Sequence, residues 1–236
     1  MKPLASLALL LIAGSLLAGC ASRVPSVAHT HVGHALSGWV DTPGERGLLE
    51  VAEAEASVAE QHAGFAVAGG RDVAEVRLHL GHVLHTLDPG REPEGPGEGY
   101  GLVRALEGAA NHLRFAAESR DVSDNLRAGA QAFARAAEPI LEEARLTATL
   151  AETARATADP AETLVFADEV LSRSRHIRQG LAGLRQGIEA ATDREDPTYQ
   201  PVERWYLFNL IRLPSGDWIF RNRNDPPSSR NSGGYL

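Results

Sequence analysis

The chain has 236 residues and a formal net charge of −8, from 23 Lys and Arg against 31 Asp and Glu. This acidic balance argues against a nucleic-acid partner, because a polyanion is bound by clustered cations. Cys20 is the only cysteine, Met1 the only methionine and Lys2 the only lysine; downstream of Cys20 this excludes disulfides, thiolate or thioether metal sites, Cys-x-x-Cys-His haem attachment and Schiff-base chemistry.

The chain opens on Lys2 and an apolar run from Leu4 that ends in Leu17-Ala18-Gly19-Cys20. A basic start, an apolar stretch and small residues make a secretory signal. At about 14 residues the run falls short of the roughly 20 that cross a bilayer as a helix. Residues 17–20 resemble the lipobox of bacterial lipoproteins. The resemblance implies that residues 1–19 are a signal peptide that is removed, and that Cys20 becomes the lipidated first residue, with palmitate or a similar acyl chain. It also implies a lipid-anchored protein facing the periplasm, and Ala21 after the cysteine favours the outer membrane over the inner. The chain left after the signal suffices for one sizeable domain with appendages.

Residues 20–30 read as a lipidated tether. Val32, Ala35, Leu36 and Trp39 recur at helical spacing and predict a short helix over 30–40. Asp41-Thr42-Pro43-Gly44 ends it, and 47–68 is an Ala/Glu/Val helix that stops at Gly69-Gly70. Glu50, Glu53, Glu55 and Glu60 read as its solvated face. Asp72 with Glu75 three residues on starts a helix that runs to Leu87. The Gly/Pro/Glu stretch 89–99 is read as a flexible, exposed connection. A helix follows over 100–119. Ser123 caps another over 124–158, kinked or interrupted at Pro139. Asp159-Pro160 opens the last, to about Thr192. No internal repeat of roughly 20 to 50 residues is visible.

The fold class expected is therefore mainly α: an antiparallel helical bundle over 31–195 with a small C-terminal β-hairpin. The hairpin is placed at 196–221, with strands 207–213 and 218–221 around Pro214-Ser215-Gly216-Asp217. Trp205, Phe208, Trp218 and Phe220 make it an aromatic surface suited to a membrane-protein partner. Residues 222–236 read as a disordered tail.

Eight of the nine histidines precede residue 113. His79, His82 and His85 lie about 80°, 140° and 160° from the centre of the stripe Val73, Val76, Leu80, Val83, Leu84 and Leu87. They either face solvent or belong to a second packing face. If the helices flanking the 89–99 loop close on each other, His79 and His82 come level with His112 and Glu107, and His31 and His34 complete the shell. Such a group would hold Zn, Cu or Fe, or a b-type haem between two imidazoles. Glu-x-x-His, Gly-x-Ser-x-Gly, P-loop and His-Glu-x-x-His motifs are absent, which argues against an enzyme. Two readings stand: a lipid-anchored metal or haem protein for storage, delivery or sensing, and a cofactor-free adaptor lipoprotein that docks through its aromatic hairpin.

Overall fold

In the computed structural model the described residues are 26–70, 72–195 and 199, with the backbone alone of 210–212 and 218–220. The signal and lipobox segment lies outside them. So do Trp205 and Phe208 and most of the expected hairpin, apart from the backbone of Leu210–Arg212 and Trp218–Phe220.

The described body is helical: α1 (Val27–Leu36), α2 (Leu48–Gly69), α3 (Val73–Leu87), α4 (Leu102–Glu118), α5 (Asp124–Ala156) and α6 (Pro160–Thr192). Most starts follow from local chemistry. The Ser26 hydroxyl accepts from the His29 N–H, Asp72 from Ala74 and Glu75, Ser123 from Leu126, and Asp159 from Ala161 ahead of Pro160. These bonds satisfy donors that a helix leaves orphaned in its first turn. α1 begins earlier than its apolar spacing suggests, because Asp121, distant in sequence, also accepts from the Val27 and Ala28 N–H groups. α5 continues through Pro139 as a single helix, so no interruption occurs there.

The core is dominated by alanine, with Leu80, Leu84, Leu102, Leu106, Leu113 and Ile177 among its largest buried side chains. Small residues let helix axes approach closely. At Gly129 of α5 an added Cβ would collide with the Ala191 Cβ on α6.

Helix partners follow chain order only in part: α4 packs on α5 and α5 on α6. α1 packs on α4, and α2 on α3, α4 and α6, whereas the consecutive pairs α1/α2 and α3/α4 touch little. Arg185 of α6 clamps Glu53 of α2 with its Nε at 2.6 and 2.8 Å from the two carboxylate oxygens, and Arg178 pairs with Glu60. The expected solvated face of α2 is thus partly an inter-helix seam.

Glu55 departs furthest from that expectation, being fully buried. Its carboxylate accepts from the backbone N–H of Tyr100 and Gly101 at 3.1 Å each, and from Glu98 at 3.4 Å. The His85 ring, also buried, meets the Glu92 carbonyl through Nδ1 at 2.8 Å. The 89–99 connection, expected to be flexible and exposed, is largely exposed but is tied down by two side chains beneath it. Its backbone donors needed an acceptor, and a buried carboxylate supplies one.

Candidate metal centres

Among the described residues, six imidazoles form two separate groups of three, His31/His34/His112 and His62/His79/His82, each with its ligand atoms within 4.8 Å of one another. Every one of the six is half-buried. In the first group, His31 and His34 stand one turn apart on α1 and His112 faces them from α4. In the second, His79 and His82 stand one turn apart on α3 and His62 faces them from α2.

The ring nitrogens converge in the same way in both. His112 Nδ1 lies 3.2 Å from His31 Nδ1 and 3.4 Å from His34 Nδ1. His62 Nδ1 lies 3.0 Å from His79 Nδ1 and 3.2 Å from His82 Nδ1. A ring nitrogen carries one proton or one in-plane lone pair, so the hub nitrogen of each group cannot make two well-aligned hydrogen bonds. A cation accepts all three lone pairs at once. With metal–nitrogen bonds of about 2.0–2.1 Å, a tetrahedral ion sets its ligand nitrogens roughly 3.3–3.4 Å apart, close to the spacing found.

Five of the six rings, those of His31, His34, His62, His82 and His112, are also held in the form a metal requires. Burial, and then the neighbouring His112 and His31, push His34 down to about 3. Burial and His31 push His112 to about 4, and burial lowers His31 against the pull of Asp121. In the second group burial, His82 and His79 take His62 to about 4, and His82 is lowered mainly by burial. Neutral imidazoles with free lone pairs result at neutral pH.

Aromatic walls complete both groups. Phe115 lies 5.5 Å from the His31 ring and 6.0 Å from His112, and Phe65 lies 5.3 Å from both His62 and His79. Trp39 adds a further wall to the first, 4.6 Å from His34 and 4.7 Å from His112. Behind His79, Glu75 Oε1 stands 4.0 Å from Nε2, the ring nitrogen facing away from the convergence point.

The single shell assembled from the sequence is thus divided between two places. His112 joins His31 and His34, while His79 and His82 join His62, which sequence reasoning counted but did not place. The division arises because α3 and α4, joined by the 89–99 connection, pack on different helices instead of on each other. Glu107 belongs to neither group. Five residues before His112, it points about 140° away around α4 and pairs with Arg145 of α5. His29 lies outside both groups as well, with Nε2 3.1 Å from Glu195. Similar signals were available for His62: His62-x-x-Phe65 and His112-x-x-Phe115 share one spacing, as do His31-x-Gly33-His34 and His79-x-Gly81-His82.

Among the described residues no helix is long and apolar enough to cross a membrane. No family model matches the chain, and no curated protein or solved structure matches it significantly.

Proposed function

We propose that this chain is a lipid-anchored periplasmic protein that binds a transition metal through its histidine triads and releases it again, in storage or delivery. The observation that carries the metal reading is the convergence of three Nδ1 atoms at each site, at separations suited to one small ion and unsuited to a saturated hydrogen-bond network. Three neutral nitrogen ligands without thiolate favour Zn or Cu(II), with Fe a weaker fit. Haem is disfavoured, because its iron takes two imidazoles on opposite faces of the porphyrin and these rings stand side by side. Three protein ligands leave a fourth position open, and partial exposure gives an ion a path in and out. The anchor rests on Leu17-Ala18-Gly19-Cys20, with Cys20 as the acylated residue.

The test is elemental analysis of the untagged lipoprotein purified from its own membrane without chelator, followed by titration with Zn and Cu(II). Bound metal that is lost in the His34→Ala/His82→Ala double variant supports the reading. A metal-free protein that takes up neither ion refutes it. Metabolic labelling with palmitate tests the anchor separately: the wild-type chain should carry label that Cys20→Ser loses, and a wild-type chain without label refutes lipid anchoring.

A further inference from the structure

The absence of an internal repeat, expected from the sequence, does not survive the fold. Laying α1 on α3 with His31 on His79 superimposes His31-x-Gly33-His34 on His79-x-Gly81-His82. The same alignment carries the buried residues of α1, Ala28, Val32, Gly33 and Ala35, onto Val76, Leu80, Gly81 and Val83, all buried. Laying α2 on α4 with His62 on His112 carries Phe65 onto Phe115. It also carries buried Ala52, Glu55, Ala56, Ala59, Ala63 and Ala66 onto Leu102, Ala105, Leu106, Ala109, Leu113 and Ala116, again all buried. The second alignment is offset slightly further along the chain than the first, and the difference lies in the longer connection between α3 and α4.

Capping repeats too. Arg71-Asp72 follows α2 and Arg120-Asp121 follows α4. Asp72 accepts from the first turn of α3, and Asp121 accepts from the first turn of α1. Each acidic cap therefore serves the first helix of the other unit. So does each histidine hub: His62 of the first unit completes the pair on α3, and His112 of the second completes the pair on α1. Each Phe lies against its own hub and against the first histidine of the other unit's pair. Weak contact inside each unit and close packing between them is the arrangement of an intertwined dimer joined into one chain.

We infer that the two triads are one metal site made twice, so that the chain binds two ions of the same class, each bridging the two repeat units. The inference rests on the metal reading above and adds stoichiometry, equivalence and location. Each ion ties an α-helix of one unit to a helix of the other, α1 to α4 or α2 to α3. Among the described residues α5 and α6 have no counterpart in the repeat and brace it from outside.

Cobalt(II) is the probe, read by its ligand-field absorption on the full lipoprotein. The wild-type chain should bind two equivalents, with spectra at one and two equivalents that superimpose after scaling. His62→Asn and His112→Asn should each bind one equivalent with that same spectrum, and the double variant none. Circular dichroism confirms that each variant retains its helices, and the wild-type titration stands without them. One cobalt per chain, spectra that change shape between the first and second equivalent, or loss of both ions from either single variant would overturn the matched pair while leaving metal binding in place. No cobalt, zinc or copper uptake at all would overturn both readings.

Discussion

Acidification offers the sharpest test of the His31/His34/His112 site. An ordinary imidazole titrates near 6.5, and at pH 5.5 only about one in eleven is neutral. Three such ligands would together cost a metal site on the order of a thousandfold in affinity between pH 7.5 and 5.5, because each must lose its proton to bind. Here His34 is held at about 3 and His112 at about 4, so both remain more than about 95% neutral at pH 5.5. His31 is lowered as well and contributes less than about the tenfold of a free imidazole. The zinc affinity of this site should therefore fall by less than about tenfold over that range. The measurement uses His62→Ala, which removes the other hub, and competition with a chromophoric chelator whose own pH dependence is known. A fall of a hundredfold or more would refute the account of burial and mutual repulsion given for these rings.

Other outcomes follow from the same structure. Free zinc at 100 times the dissociation constant stabilises by about 2.7 kcal/mol per site, so two sites should raise the melting temperature by roughly 11–22 °C at this chain length. Calorimetry of His112→Asn should show about half that shift, and no shift in the wild type would contradict two sites. Glu55→Ala leaves the Tyr100 and Gly101 donors without their acceptor, and each buried orphan costs about 1–3 kcal/mol. A loss of about 3 kcal/mol in denaturant unfolding is expected, smaller for Glu55→Gln, which keeps one acceptor oxygen; an unchanged midpoint would show that Glu55 does not anchor the connection. The metal-free protein should lose stability in acid. His34, His62 and His112 have folded values depressed to about 3, 4 and 4, so the unfolded chain binds protons first. Their contribution is complete above about pH 6.5 and is lost as pH falls toward those values. Melting temperatures that stay flat between pH 6.5 and 4 would contradict this.

Much of the local architecture was legible in the sequence. Asp72, Ser123 and Asp159-Pro160 announced helix starts because a side-chain oxygen or an N1 proline acts within three residues, and Gly69-Gly70 and Pro89 marked where helices end. The histidine pairs at 31/34 and 79/82 were legible for the same reason, since residues three apart share a helix face. Glu55 was not. In the sequence it looks like Glu50, Glu53 and Glu60 of the same helix, which the structure leaves half-buried, and the loop folded over it is what buries it fully. The repeat was hidden by exchange of size: Ala52, Ala56 and Ala63 of α2 correspond to Leu102, Leu106 and Leu113 of α4, so buried positions match while residue identities do not.

The sequence by itself determined the helices, their caps, the exclusion of thiolate chemistry and the presence of histidines at one-turn spacing, because each depends on interactions within a turn or two of chain. Tertiary structure decided which histidines meet. Alanine-rich faces pack on one another with little discrimination in a one-dimensional pattern, so chain order suggested that α3 would close on α4. The fold instead set α1 on α4 and α2 on α3, as Asp121 capping α1 from across the chain already requires. That exchange of partners divides one imagined shell into two triads, gives His62 its place and turns Glu107 outward to Arg145.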